Sequence, residues 1–203
     1  LGERAVKLAA TAELHGMGGA KATWSYEVRA GGDIIVETTY EPGAERRAMM
    51  PRFGTELQLA PGLENVTWYG RGPVETYVDR EFERVGVYRS TVDKEWVEYS
   101  KPQENGNKTG VRWVALTDAR GVGLLAVGEA PLGVRATHYT KEDIEQAGYT
   151  FQMKPHPQVF LNLDGWQMGV GGIDSWSPNA LPMAPYRIQS DKKLSFKYRL
   201  VPV

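Results

Sequence analysis

The sequence contains no cysteine, which removes disulfide frameworks, thiolate nucleophiles and cysteine-ligated zinc from consideration. Histidine is nearly as scarce: His15, His138 and His156 are too scattered to make a metal site by spacing. No run approaches the roughly 18 apolar residues of a membrane helix, and the N-terminus lacks the basic-then-apolar layout of a signal peptide. No membrane partner is therefore expected. Neither charge is in excess. With 24 Lys plus Arg against 25 Asp plus Glu, no global field would draw nucleic acid, which is excluded as a partner on the same ground. The G-x-S-x-G elbow of serine hydrolases is absent. No carboxylate pair advertises the acid and nucleophile of a glycosidase, since Glu142, Asp143 and Glu145 cluster at an expected helix start, where the dipole alone favours acids.

What is present is the punctuation of many short strands. The 23 glycines and 12 prolines separate segments rich in Val, Thr, Tyr and Trp. Candidate strands are Thr23 to Arg29, Ile34 to Tyr40, Phe53 to Leu59, Asn65 to Tyr69, Val111 to Thr117, Val122 to Val127, Gly133 to Tyr139, Val159 to Leu163, Tyr186 to Gln189 and Leu194 to Leu200. A single helix is expected over Thr140 to Ala147, with Thr140 as cap, Glu142 and Asp143 in its first turn and Gly148 as its stop. No strand–helix repeat and no fixed period occurs. The fold class is accordingly all-β, a large antiparallel β-sandwich forming one domain over residues 1–203, for which 41% hydrophobic content suffices. The first forty residues, with a Gly-rich stretch at Gly16 to Gly19 and a turn at Gly31 to Asp33, read as a sheet edge open to pairing. The chain begins at Leu1 rather than Met, which suggests an excised segment or a processed product.

The functional signal is concentrated in Gly169 to Pro178, a glycine-flanked loop that carries Trp176. An indole face suits the C–H face of a pyranose, and Asp174 and Ser175 beside it can bond hydroxyls at the ring edge. The competing reading is that Trp176 plugs the end of the sandwich. Two further candidates are weaker. Asn105 lies in the amide-rich segment Lys101 to Thr109, which can line a polar cleft or make an ordinary turn. His138, beside Tyr139 at a strand end, can face a pocket and bond a sugar hydroxyl, or can simply be a part-buried strand histidine. Trp24, Trp68, Trp96, Trp113 and Trp166 sit in or beside strands, where large aromatics fill cores or domain contacts.

Four segments in order carry a resemblance: Trp68 to Arg80, Pro102 to Gly106, Leu161 to Asp164 and Met168 to Pro178. Three of them reproduce the patterns W-x-G-x-G-P-x-E-x-Y-x-D-R, P-x-E-N-G and M-G-x-G-G-x-D-S-W. Together the four resemble the C-terminal domain of the large bacterial β-galactosidases of glycoside hydrolase family 2, a domain that also closes the small subunit of two-chain forms. The match is strong over residues 52–203 and loose over 1–50, so some N-terminal strands of the sandwich are expected upstream of Leu1.

The resemblance implies a galactose-mutarotase-like supersandwich within an enzyme that hydrolyses terminal β-D-galactosyl bonds with retention. Both catalytic glutamates lie on a TIM barrel, so no catalytic residue and no cofactor is expected in this chain, and the Mg and Na ions of such an enzyme are assigned to the rest of it. Trp176 matches the tryptophan that completes the family's sugar pocket. The implied partners are a β-galactoside, the barrel of the same polypeptide or of a large subunit, and further copies in a homo-oligomer. Bacterial cytoplasm and periplasm are both compatible. One position departs from the pattern: many relatives carry two aspartates before Ser-Trp, where this chain has Ile173 and Asp174. A stand-alone aldose mutarotase and a carbohydrate-binding module are the alternative functions.

Overall fold

The computed structural model describes residues 4–45 and 49–203. Its strands are β1 (Ala5–Glu13), β2 (Lys21–Arg29), β3 (Ile34–Glu41), β4 (Arg52–Leu59), β5 (Asn65–Gly72), β6 (Arg84–Thr91), β7 (Lys108–Thr117), β8 (Gly123–Thr137), β9 (Val159–Gln167) and β10 (Leu194–Pro202), with one helix, α1 (Lys141–Gln146). Every ladder is antiparallel. The chain is thus all-β, as its punctuation and composition require. No helix among the described residues is long and apolar enough to cross a membrane.

Eight strands run in the order β1-β2-β3-β10-β8-β7-β5-β6, and β9 joins β8 with β4 outside it. β8 is where the sheet turns over. Its first half pairs with β10, from Leu124 opposite Pro202 to Gly128 opposite Tyr198, and its second half pairs with β9, from Gly133 opposite Asp164 to Thr137 opposite Phe160. The corner falls at exposed Glu129-Ala130-Pro131, where Pro131 has no N–H to lose from a ladder. Gly128 enters it closely: a Cβ there would stand 2.3 Å from the Ala130 carbonyl oxygen.

The turn lays β4 and β9 over β3 and β10 as a second layer. Phe53 of β4 meets Phe196 of β10 edge-on at 5.4 Å and Tyr40 of β3 at 5.9 Å, although no ladder joins those strands. Trp166 of β9 packs on both phenylalanines. Alternation supplies the core. β3 buries Val36, Thr38 and Tyr40, β5 buries Val66 and Trp68, and their neighbours in sequence face outward or are half-buried. β9 is different, because Val159 to Asp164 are all buried. Val159, Leu161 and Leu163 join the core cluster. Asn162 and Asp164 project from the opposite face, which is covered too.

The sequence-based strand count agrees with the structure for a partly accidental reason. Val122 to Val127 and Gly133 to Tyr139 belong to the single bent strand β8, and Tyr186 to Gln189 is no strand, since a 3-10 turn spans Ala184–Tyr186 and only Ile188 bridges, to Met50. Pro185 ends that segment's prospects as a ladder. In their place stand β1, too alanine-rich to show a period, and β6, a sheet edge containing Gly86. β1 is the other edge of the path; all nine of its residues are exposed, including Val6 and Leu8. The expected helix is present, capped reciprocally by Thr140 and Asp143.

Candidate functional site

The loop that carries Trp176 leaves β9 at Gly169 and is pinned at its root. Gly169 N–H donates to the Tyr186 carbonyl at 2.9 Å, and Gly171 N–H donates to Asp79 Oδ2 at 2.7 Å. These glycines permit close approach rather than unusual backbone angles. A Cβ on Gly169 would stand 2.5 Å from Asp79 Oδ2, and one on Gly172 would stand 2.4 Å from the Asn179 carbonyl oxygen.

At its tip the loop is braced by its own acid. Asp174 Oδ1 accepts from the N–H groups of Trp176 at 3.1 Å and Ser177 at 2.9 Å, while Oδ2 accepts from the Ser177 hydroxyl at 2.6 Å. Those bonds, the Ser177 hydroxyl's first, hold the Asp174 carboxyl below the usual range. The Ile173 N–H donates to the Asn179 carbonyl at 2.8 Å, a backbone tie that does not depend on the side chain at that position. Asp174 is therefore a turn brace. Ser175 is exposed beside it. Trp176 is 87% exposed, so it plugs nothing within this chain. An indole held out on a braced loop is a ready apolar platform.

The four sequence motifs converge in space. Glu75 accepts the Gly106 N–H at 2.7 Å and the Tyr99 hydroxyl, tying the first motif to the second. Thr76 N–H donates to the Asn107 carbonyl at 2.7 Å, and Asn107 Nδ2 returns a bond to the Thr76 carbonyl at 2.9 Å. Asp79 then ties the first motif to the fourth. Asn105, buried, accepts from Val97 N–H and donates to the Gln103 carbonyl, so it braces the segment that carries Glu104.

Glu104 links the second motif to the third through arginines. Arg52 Nη2 stands 3.3 Å from both Glu104 Oε1 and Asp164 Oδ2, and Arg135 Nη1 stands 3.4 Å from Glu104 Oε2. Asp164 is 1% exposed. Burial pushes its carboxyl up to about 6, against the pull of Arg52. Beside this group, Glu56 accepts from Asn162 Nδ2 at 3.0 Å and pairs with Lys141 at 3.2 Å. Burial would raise Glu56, but those partners outweigh it and hold the carboxyl low.

His138 stands apart from these contacts. Its Nδ1 bonds the Gln158 carbonyl and its Nε2 bonds Glu64, each at 2.9 Å, with Asp93 at 3.8 Å. Burial alone would lower its pKa, yet Gln158 and Glu64 raise it overall. Both ring nitrogens are thus committed to the chain itself. Among the described residues no group of three or more His, Cys, Asp or Glu is placed to hold a metal ion.

Comparison with known proteins agrees with the convergence of these motifs. A family model described as beta galactosidase small chain matches residues 3–200. The chain is 34% identical over 177 residues to a β-galactosidase of Halalkalibacterium halodurans, covering 85% of this chain and 17% of that protein. It is 33% identical over 208 residues to β-galactosidase BgaC of Bifidobacterium adolescentis, covering 98% and 19% respectively. Against a β-galactosidase of Lactobacillus delbrueckii subsp. bulgaricus it is 37% identical over 161 residues, covering 79% and 16%. The chain therefore spans less than a fifth of the length of each of these relatives.

Proposed function

Because the chain belongs to the β-galactosidase small-chain family, we propose that it is the non-catalytic sandwich of a retaining β-galactosidase and lends Trp176 to the sugar site. The observation that carries this is the exposed indole of Trp176 on a loop fixed at its root by Asp79 and at its tip by Asp174. A retaining glycosidase needs two carboxyl groups about 5–5.5 Å apart, one as acid and one as nucleophile. Those groups belong to the much larger remainder of such an enzyme. This chain supplies apolar contact area and orientation, with Trp176 against the sugar's C–H face and Asp174 holding the indole where it is.

A stand-alone mutarotase is disfavoured by His138, since an imidazole acting at an anomeric carbon needs a nitrogen open to the substrate.

The test is Trp176→Ala in the full-length protein. We expect the Michaelis constant for a nitrophenyl β-galactoside to rise about tenfold with a smaller change in kcat, because contact area rather than a proton donor is lost. Asp174→Ala should act in the same direction by releasing the turn. An unchanged Michaelis constant in Trp176→Ala removes the residue from the site. The 203-residue chain alone should show no turnover, and a genuine rate from it would overturn the non-catalytic role.

A further inference from the structure

A cavity of about 420 Å³ opens at the free edge of β4, between that strand and the β2–β3 hairpin. Trp24, Arg52, Glu56, Lys141, Asn162 and Asp164 are among its lining residues, and none of Trp176, Asp174 and Ser175 is. We propose that this cavity binds a neutral monosaccharide, an assignment that stands independently of the role given to Trp176.

Unspent hydrogen-bonding capacity is the first ground. Asp164, Asn162 and Thr38, all on the cavity wall and at most 2% exposed, leave both Asp164 carboxylate oxygens, Asn162 Oδ1 and Thr38 Oγ1 without a hydrogen bond. Arg52 approaches Asp164 Oδ2 at 3.3 Å as a charge, without an aligned N–H. Buried acceptors left bare are costly, and donors entering from outside would recover that cost. The backbone is shaped around the same carboxylate. A Cβ on Gly54, opposite Asp164 across the β4–β9 ladder, would stand 1.9 Å from Asp164 Oδ1.

Charge balance selects the class of ligand. Among the described lining residues Arg52 and Lys141 stand against Asp164 and Glu56, so two cations meet two carboxylates at neutral pH. A phosphate or an ammonium gains nothing from a balanced set. Hydroxyls gain from both signs, donating to Asp164 and Asn162 and accepting from Arg52 and Lys141. The half-buried indole of Trp24 adds an apolar face to one wall. The volume accommodates one sugar ring with water around it.

The experiment is photoaffinity labelling of the full-length protein with a galactoside bearing a small diazirine, mapped by mass spectrometry. We expect label on the segments containing Trp24 and residues 50–56, displaced by excess galactose or glucose and not by galacturonate or glucosamine. Asp164→Asn should cut that label about tenfold, the loss of one strong hydrogen-bonding anion, with near-UV circular dichroism to verify folding. Lys141→Gln, at a half-exposed side chain, should also reduce it and keeps the test decisive if Asp164→Asn fails to fold. Trp176→Ala should leave this label intact while removing any on residues 169–178, which separates the two proposals. Label absent from both cavity segments, or not displaced by neutral sugars, or displaced equally by charged ones, or unchanged in Lys141→Gln, would overturn the assignment.

Discussion

Asp164 sets the terms of a pH experiment. Its carboxyl is raised in the folded chain from 3.8 to about 6, with burial as the largest cause. A raised folded pKa in an acid means that the folded state holds the proton more tightly than the unfolded chain does. The contribution of this group is therefore most favourable below about pH 4 and is lost as pH climbs through about 6. The gap between 3.8 and about 6 corresponds to about 3 kcal/mol. Asp164→Asn keeps the shape and removes the titration. The stability of the Asn variant relative to wild type should thus rise by about 2 kcal/mol between pH 4, where the unfolded carboxyl is already part-ionised, and pH 7.5, measured by urea unfolding at each pH. Carboxylates held low elsewhere, such as Asp143 and Asp118, cancel in that difference because distant sites contribute additively. A constant offset from loss of the Arg52 pair is expected and does not alter the slope. A difference that stays flat within about 0.5 kcal/mol, or that falls with pH, would refute burial as the controlling influence on this carboxylate.

Three other outcomes follow from the packing. Phe53→Ala removes the ring joining β4 to Tyr40, Trp166 and Phe196 and should cost about 3–5 kcal/mol in a urea melt; a loss under about 1 kcal/mol would mean that the two layers are not held there. Gly169→Ala drives a Cβ into the Asp79 carboxylate and should release the Trp176 loop, read as faster proteolysis within residues 169–178 at nearly unchanged global stability. His138, whose pKa is raised, should contribute stability that is complete below about pH 6.5 and lost as pH rises through the folded value. His138→Gln should flatten that part of the profile, and an unaltered profile would deny the Glu64 pair any role.

Features that rest on neighbours in sequence were open to reading in advance. The helix at Lys141–Gln146 announces itself because Thr140 and Asp143 cap each other three residues apart. Trp176 stood out because glycines and short polar residues surround it on a single loop. Bonds between distant residues were closed to such reading. Asp79 holds Gly171 across 92 positions and Glu75 holds Gly106 across 31, so each acid looks like one more surface charge until the chain folds. Arg52 and Arg135 carry no pattern of their own, and meet their shared partner Glu104 only where β4, β9 and β8 lie side by side. The turn that Asp174 braces was hidden as well, because composition cannot say which backbone amides a carboxylate will take. The bend in β8 was hidden for a related reason, since Glu129-Ala130-Pro131 reads as a loop between two strands, while β7 runs beside both halves.

That bend makes β8 the spine of a folded page. Because the same strand is stitched to β10 below the crease and to β9 above it, neither leaf can peel away without tearing its ladder from a strand that the other leaf also holds. The strand that carries Asp164, and from whose end the Trp176 loop departs, thus rides on the far leaf yet is bound to the near one. A disturbance at the crease, such as a bulky residue at Gly128, should reach both leaves at once, and the molecule should open as a whole rather than leaf by leaf.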